Sequence, residues 1–191
     1  MKKRLFLAIP LAVSLANKFS EFKARYDAEI AGADGMGAIR WVTKQNLHIT
    51  VYFFGDVEES KIPQMSAKLA LVAKATPHFT LEFQKIIYAP PNRAPRMIWA
   101  DFGASKSYTR LVRAVYEHAK SYLDPSSAQT KDRAPHPHVT LARLSNPAMA
   151  RLFKLEQLSP AAMTANKCQL ISSELTRSGA RYMVMEEYQF A

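Results

Sequence analysis

The sequence predicts one domain of mixed helices and strands that is built from two similar halves. The order helix, strand, helix, strand, strand occurs twice, and a His-x-Thr motif stands in the first strand of each half, at His48 and at His138. The chain has 191 residues, of which 48% are hydrophobic, so it can bury a substantial core as a single domain over 1–191. Two copies are too few for a solenoid, and a duplicated domain with paired lobes is expected.

The first element is a strand from Arg4 to Ile9, which turns at Pro10 into an amphipathic helix. The basic start and the apolar stretch from Leu5 to Ala16 also resemble a secretory signal. However, Pro10 divides that stretch, and the helical spacing of apolar side chains continues to Ile30. We therefore expect an unprocessed protein. No apolar run reaches the roughly 18 to 20 residues that span a bilayer.

A single cysteine, Cys168, limits the chemistry that thiols can contribute. One cysteine cannot form an internal disulfide and cannot build a thiolate metal site. A reducing, cytoplasmic location is therefore expected.

Hydrophobic spacing then defines the remaining elements of both halves. In the first half we expect a glycine-containing loop at 31–37, a strand from Leu47 to Phe54, a helix from about Ser60 to Ala75, and strands from Phe79 to Ala89 and Met97 to Phe102. In the second half we expect a helix from Ser105 to Leu123, a polar loop at 124–133, a strand from His138 to Leu144, a helix from Pro147 to Gln157 with proline in its first turn, and strands from Lys167 to Leu175 and Arg181 to Tyr188.

The two motifs share one pattern of side chains. Asn46-Leu47-His48-Ile49-Thr50-Val51 and Pro137-His138-Val139-Thr140-Leu141-Ala142 both read His, β-branched apolar, Thr, apolar. In a strand, residues i and i+2 point to the same face, so each His shares a surface with its Thr while the residue between them enters the core. Two such strands brought together face two imidazoles and two hydroxyls across one cleft.

This set of groups suits phosphate ester chemistry without a metal. One neutral imidazole can take a proton from water while a protonated imidazole gives one to the leaving oxygen, and each transfer is typically worth about 10² to 10⁴ in rate. The threonine hydroxyls can donate hydrogen bonds to the non-bridging phosphate oxygens. A single His-x-Thr in a strand is ordinary packing, but two at matching places favour a shared site.

Other sites fit the sequence less well. His136 and His138 alternate and resemble the start of a histidine triad, but Thr140 stands where a third histidine is needed. They also lack a nearby acidic or cysteine residue at the usual metal-ligand spacing, so no metal and no cofactor are expected. The sequence contains no Gly-Lys-Ser or Gly-Lys-Thr phosphate loop and no Gly-x-Ser-x-Gly elbow.

The formal net charge of +10 favours anionic partners such as nucleic acid. Basic side chains cluster around the middle of the chain and before the second motif. We expect some of them to line an approach for RNA: Arg93, Arg96, Arg110, Arg113, Lys131 and Arg133.

The sequence resembles the two-histidine phosphoesterase superfamily and, within it, the bacterial RNA 2′,3′-cyclic phosphodiesterases, historically also called 2′-5′ RNA ligases. The resemblance covers nearly the whole chain. It rests on Arg4-Leu5-Phe6-Leu7-Ala8-Ile9-Pro10, on Trp41 with Asn46-Leu47-His48-Ile49-Thr50-Val51-Tyr52-Phe53-Phe54-Gly55, on Pro137-His138-Val139-Thr140-Leu141-Ala142-Arg143, and on Ser173-Glu174-Leu175 with Gly179-Ala180-Arg181-Tyr182.

The resemblance implies a pseudo-twofold α+β fold with two lobes of antiparallel sheet flanking a central cleft and helices outside. It also implies hydrolysis of a terminal 2′,3′-cyclic phosphate, on RNA or a cyclic nucleotide, to a 2′-phosphomonoester without metal or ATP. By motif match, His48 and His138 are catalytic, Thr50 and Thr140 bind the phosphate, and Arg143 helps to hold the phosphate or nucleotide. His138 is then the base for water and His48 the acid for O3′. We expect a monomer that does not engage a membrane.

Arg143 raises an objection from strand geometry. It follows His138 by five residues, so it points away from the cleft in a regular strand, and a bulge or the end of the strand is needed to turn it back. Two other functions remain open: an RNA-end-binding module whose histidines only dock phosphate, and RNA joining, the chemical reverse of hydrolysis.

Overall fold

The computed structural model describes residues 1–30, 39–91, 93–123, 135–151, 154–176 and 179–191. Within these ranges the helices are α1 (Val13–Ile30), α2 (Ile62–Lys74) and α3 (Lys106–Ala119). The strands are β1 (Lys2–Pro10), β2 (Ile39–Trp41), β3 (His48–Glu58), β4 (Phe79–Phe83), β5 (Lys85–Ala89), β6 (Met97–Asp101), β7 (His138–Leu144), β8 (Ala161–Ala165), β9 (Lys167–Thr176) and β10 (Gly179–Gln189). No helix in this part of the chain is long and apolar enough to cross a membrane.

Eight of these strands form one antiparallel sheet in the order β10-β9-β1-β3-β7-β6-β5. The eighth strand, β2, pairs with β7 from Ala142 to Leu144. It lies on the same edge of β7 as β3, which meets β7 at Ile49 and Val139. β4 and β8 form a separate two-stranded sheet. The residues that a secretory signal would comprise therefore form β1, inside the large sheet, and the beginning of α1.

The sheet is pseudo-symmetric about the contact between β3 and β7. Outward from this contact lie β1 and then β9 on one side, and β6 and then β5 on the other. A strand, a helix and a motif strand follow one another in each half, as β1-α1-β3 and as β6-α3-β7. β4 of the first half pairs with β8 of the second. The repeat unit therefore begins at a strand, one element before the helix with which the sequence pattern begins.

The three helices cover one face of the large sheet. Phe22 of α1, Leu69 of α2 and Val115 of α3 pack in one core with Ile49 and Val139 of the sheet. Successive strand residues alternate between faces, so their neighbours point to the opposite side, which we call the open face. There Phe6, Ala8 and Ile171 form a small second cluster. The sheet thus separates a helix-covered core from the open face.

Most sequence predictions for single elements are confirmed to within a few residues, including both motif strands, α2, α3, β1, β6, β9 and β10. The strand predicted from Phe79 to Ala89 is instead two strands that belong to different sheets and are separated at Gln84. β2 and β8 were not predicted. The loops expected at 31–37 and 124–133 lie outside the described residues.

The helix predicted from Pro147 to Gln157 is wrong, because among the described residues of this segment Pro147–Arg151 form a 3-10 turn and 154–157 are not helical. The Gln157 side-chain amide accepts from the backbone nitrogen of Ile86 and donates to its oxygen, both at 3.1 Å, as a strand partner would. The Tyr26 hydroxyl of α1 also binds the backbone of this segment, at Lys154 and at Glu156. These tertiary hydrogen bonds replace the helical ones.

Candidate active site

The two His-x-Thr motifs meet where the two halves of the sheet join. Ile49 and Val139 are directly paired, and both are completely buried. The residues before and after them in each strand point to the open face. The structure therefore brings together the four predicted motif side chains, His48, Thr50, His138 and Thr140.

Antiparallel pairing determines how these four side chains alternate. Around the Ile49–Val139 pair, His48 lies opposite Thr140, and Thr50 lies opposite His138. The histidines occupy one diagonal and the threonines the other, and diagonal neighbours on adjacent strands are about 7 to 8 Å apart. Two imidazoles therefore flank the centre of the site from opposite sides, each with a hydroxyl next to it.

A β-bulge follows the motif in β7. Consecutive residues of β6 pair with Thr140 and Ala142, which leaves Leu141 as the extra residue. Leu141 and Ala142 are both buried, and the exposed Arg143 returns to the open face on the side of Thr140. The bulge that Arg143 requires is thus present, and the guanidinium lies beside the motif, with Nη1 3.8 Å from the sulfur of Met97.

The same irregularity occurs at the same place in β3. Consecutive residues of β1 pair with Thr50 and Tyr52, which leaves Val51 as the extra residue. Phe53 consequently occupies, in the first half, the position that Arg143 occupies in the second. Arg4 lies over the Phe53 ring, 4.9 Å from its centroid. The two flanks of the site therefore differ, because one carries a guanidinium and the other an aromatic ring after the bulge.

His48 is held in one tautomer by the backbone. Its Nδ1 lies 2.7 Å from the carbonyl oxygen of Asn46, and since a carbonyl only accepts, Nδ1 donates. In the neutral ring, Nε2 is then the acceptor and lies 3.1 Å from the Thr50 hydroxyl. The rings of Phe6 and Tyr182 pack against the imidazole, with centroid distances of 4.9 and 5.6 Å. His48 thus presents Nε2 to the site from an aromatic pocket.

His138 is held in the same tautomer. Its Nδ1 donates to the carbonyl oxygen of His136 at 2.9 Å. The ring stacks on the indole of Trp99, with centroids 3.7 Å apart and planes inclined by 22°. Within the described ranges, Nε2 of His138 has no hydrogen-bond partner, so it is available to a water molecule or a substrate.

Burial lowers the pKa of both histidines below the ordinary value of 6.5. For His48, the hydrogen bond to Asn46 opposes this effect. For His138, the hydrogen bond to the His136 carbonyl and the Asp101 carboxylate raise the pKa, whereas the charges of His136 and His48 lower it. Because protonation of His48 lowers the pKa of His138, the pair disfavours the state in which both imidazoles are protonated.

The contact between Asp101 and His136 supports the orientation of the His138 ring. Asp101 is only 6% exposed, and its Oδ1 lies 2.6 Å from Nε2 of His136 and accepts from the backbone nitrogen of Gly103 at 2.9 Å. Asp101 is also the cross-strand partner of His138. The carboxylate therefore fixes the residue whose carbonyl orients the His138 ring.

Sequence reasoning assigned no role to Asp101, Trp99, Phe6 or Tyr182. Asp101 and Trp99 lie on β6, and only the pairing of β6 with β7 brings them to His138. His136, which we considered as a metal ligand, binds Asp101 instead. No group of three or more His, Cys, Asp or Glu side chains in the described ranges is arranged to hold a metal ion.

The basic residues among which an RNA approach is expected lie on different parts of the structure. Arg110 and Arg113 lie on α3, which packs on the helix-covered face, whereas the histidines lie on the open face. Arg93 and Arg96 are exposed before β6. Lys131 and Arg133 lie outside the described residues.

Comparison with known proteins identifies the fold and the family. The model of the 2′-5′ RNA ligase superfamily matches residues 14–177. An RNA 2′,3′-cyclic phosphodiesterase from Thermotoga maritima is 26% identical over 189 residues, covering 98% of this chain and 95% of the relative.

Two solved structures share the fold. TT0787 of Thermus thermophilus has a TM-score of 0.80 at 23% identity, covering 98% of this chain and 97% of its own. E. coli LigT complexed with 3′-AMP has a TM-score of 0.70 at 20% identity, covering 100% and 98%. As its motifs predict, the chain belongs to the 2′-5′ RNA ligase superfamily.

Proposed function

We propose that this protein hydrolyses the terminal 2′,3′-cyclic phosphate of RNA to a 2′-phosphomonoester by acid and base catalysis from His48 and His138, without a metal ion. The observation that carries the proposal is the diagonal placement of two imidazoles and two hydroxyls around the Ile49–Val139 pair. The names of the relatives support the substrate, since the Thermotoga maritima and Archaeoglobus fulgidus proteins are RNA 2′,3′-cyclic phosphodiesterases.

Ring opening to a 2′-phosphate needs a base and an acid on opposite sides of phosphorus. Water attacks phosphorus in line with the departing O3′, so a bond from the water oxygen to phosphorus forms as the bond from phosphorus to O3′ breaks. We assign His138 as the base that takes the water proton on Nε2, and His48 as the acid that delivers its Nε2 proton to O3′. Proton exchange with solvent then restores both rings.

The hydrogen bonds of the two rings support this assignment. Nε2 of His138 has no partner among the described residues and can accept from water. Nε2 of His48 lies 3.1 Å from the Thr50 hydroxyl. When His48 is neutral, the hydroxyl donates its only proton to Nε2, but when His48 is protonated, Nε2 donates to the hydroxyl oxygen. The Thr50 proton is then free for a phosphate oxygen, and in the reaction the Nε2 proton of His48 leaves the Thr50 oxygen for O3′.

The remaining groups have supporting roles in the proposal. Thr140 lies opposite His48 and donates to a second non-bridging oxygen, and Arg143, next along the strand face, supplies positive charge that helps to hold the substrate. We also propose that the chain acts as one domain over 1–191, as a monomer, in the cytoplasm. The buried, unpaired Cys168 is compatible with a reducing compartment.

Product analysis tests the function. A short RNA ending in a 2′,3′-cyclic phosphate is incubated with purified protein, and 2′-phosphate, 3′-phosphate and joined products are scored separately. We expect 2′-phosphate. Binding without ring opening would instead indicate an RNA-end-binding module, and a joined product in the presence of 5′-hydroxyl RNA would indicate ligation. The variant that replaces both histidines with asparagine controls for contaminating ribonuclease.

A further inference from the structure

Two arginines face each other on adjacent strands next to the candidate active site. In the ladder between β2 and β7, Arg40 is the direct partner of Arg143. Directly opposite residues of an antiparallel pair point to the same face and approach closely. The guanidinium groups of Arg40 and Arg143 therefore share one region of the surface.

This region is the open face, beyond the end of the site at which Thr140 lies opposite His48. Trp41, the neighbour of Arg40, packs into the core against Phe22 and Tyr26 of α1. Arg40 therefore points the other way and is exposed. Arg143 reaches the open face because of the bulge at Leu141. Arg143 thus extends the line formed by His138 and Thr140 on β7, and Arg40 lies beside it on β2.

Neither guanidinium has an acidic partner in the described part of the chain. The Arg143 guanidinium contacts the sulfur of Met97, and neither Arg40 nor Arg143 forms an ion pair with another described residue. Like charges directly opposite each other on adjacent strands destabilise a sheet. Two adjacent guanidiniums are complementary to an anion, because an anion offsets their repulsion and two guanidinium forks match the oxygens of a phosphate.

We propose that Arg40 and Arg143 together bind the phosphodiester on the 5′ side of the terminal nucleotide. This inference rests on the proposed function. A 2′,3′-cyclic phosphate marks the 3′ end of an RNA, so the next phosphate along the substrate can only be the one that joins the terminal nucleotide to its 5′ neighbour. An anion site beside the cyclic phosphate therefore recognises that linkage.

The side of the site that faces β1 and β10 is built differently. Next to His48, the open face carries the aromatic rings of Phe6 and Tyr182, and Phe53 lies where the second half has Arg143. Arg4 on this flank is already placed over the Phe53 ring. The charge pattern thus directs the phosphate backbone towards β2 and β7. It also gives the protein a means to favour RNA ends over free cyclic mononucleotides.

A matched pair of dinucleotides tests the site. Both end in a 2′,3′-cyclic phosphate, and they differ in the internal linkage, which is a phosphodiester in one and an uncharged methylphosphonate in the other. We expect the wild-type protein to prefer the phosphodiester by about tenfold in kcat/KM, as a charge-assisted contact predicts. Arg40→Gln should bring this ratio close to one, mainly through KM, and Arg40→Lys should retain part of it.

Arg113→Gln provides the control, because it removes the same charge from the helix-covered side and should preserve the preference of the wild-type protein. A second readout is the salt dependence of KM. The slope of log KM against log salt should be steeper for the phosphodiester than for the methylphosphonate by about 0.7, the value for one phosphate contact on a single strand.

The outcomes separate this inference from the proposed function. If the wild-type protein opens neither dinucleotide, the proposed function fails. If it opens both but does not distinguish them, or if Arg40→Gln keeps the full preference, the proposed function stands and the second phosphate site is overturned. Circular dichroism verifies that the variants are folded. If Arg40→Gln does not fold, the kcat/KM ratio of the wild-type protein for the two dinucleotides still tests whether a second phosphate site exists.

Discussion

Asp101 and His136 form a carboxylate–imidazole contact of 2.6 Å that breaks the pseudo-twofold symmetry of the site. Asp101 is the cross-strand partner of His138, and the equivalent partner of His48 is Pro10. Asn46 takes the place of His136 in the first half, since its carbonyl binds Nδ1 of His48. A carboxylate and an imidazole therefore lie next to His138, whereas Pro10 and Asn46 occupy the equivalent positions next to His48.

Replacing these two residues one at a time should shift the pH profile in opposite directions. The Asp101 carboxylate raises the pKa of His138 and the charge of His136 lowers it. Asp101→Asn should therefore move one limb of the kcat/KM profile to lower pH, and His136→Gln should move the same limb to higher pH. Glu117→Gln, which removes an exposed carboxylate on α3, is the control. Shifts in the same direction would show that the pair acts only through structure.

The losses of activity on replacing His48 and His138 should not be additive. Asparagine at either position should lower kcat by about 10² to 10⁴, because proton transfer at one end of the reaction is lost. The double variant should be only slightly slower than the slower single variant, since groups that act as a unit are strongly non-additive. Single-turnover kinetics on a cyclic-phosphate dinucleotide measure this. Losses that multiply would mean that the histidines act independently.

The pH dependence of the free protein should be bell-shaped, with its maximum on the acid side of about pH 6.5. Burial lowers the pKa of both histidines, so each accepts its proton only below the ordinary value. Activity falls at lower pH as the base becomes protonated, and at higher pH as the acid loses its proton. The kcat profile should lie at higher pH than the kcat/KM profile, because a bound phosphate favours the imidazolium form. Coinciding profiles would argue against direct contact between the phosphate and the imidazoles.

A substrate with a much better leaving group at the 3′ position should distinguish the acid from the base. Such a leaving group departs without a proton, so it should restore much of the rate of His48→Asn. His138→Asn should remain slow, because water still needs a base. Rescue of the His138 variant alone would reverse the proposed roles.

A strong chelator should leave ring opening intact. Asp101 is the acidic side chain paired with His138 across the strands, and its Oδ1 is already bound by His136 and by the backbone of Gly103. The proposed proton transfers need only the two imidazoles. Activity is measured before and after treatment with EDTA, followed by addition of single divalent ions. Loss of activity that one ion restores would contradict the metal-independent mechanism.

Strand alternation made the four motif residues predictable from the sequence. His48 and Thr50 point to the same face because they are two residues apart in a strand, and the same holds for His138 and Thr140. The need for a bulge before Arg143 followed from the same local rule. Information carried within one strand was therefore sufficient for this part of the site.

The groups that support the motif depend on pairing between strands. Trp99 and Asp101 reach His138 only through the register of β6 against β7, and Arg40 reaches Arg143 only because β2 occupies the free edge of β7. A three-residue strand such as β2 has too little periodicity to be recognised alone. The prediction of a helix at 147–157 failed for a similar reason, because the Gln157 side chain forms hydrogen bonds with the backbone of Ile86, which is distant in the sequence.

One difference after the duplicated bulge, Arg143 in one strand and Phe53 in the other, bears on regiochemistry. In a site with perfect twofold symmetry, a cyclic phosphate would bind equally well in two orientations related by a half-turn, one offering O3′ and the other O2′ to the acid. A guanidinium on one flank and a phenyl ring on the other give these orientations different energies. One charge-assisted hydrogen bond, worth about 1.5 to 3 kcal/mol, corresponds to a preference of roughly ten- to a hundredfold. This difference between the two halves thus favours the release of one of two isomeric phosphomonoesters over the other.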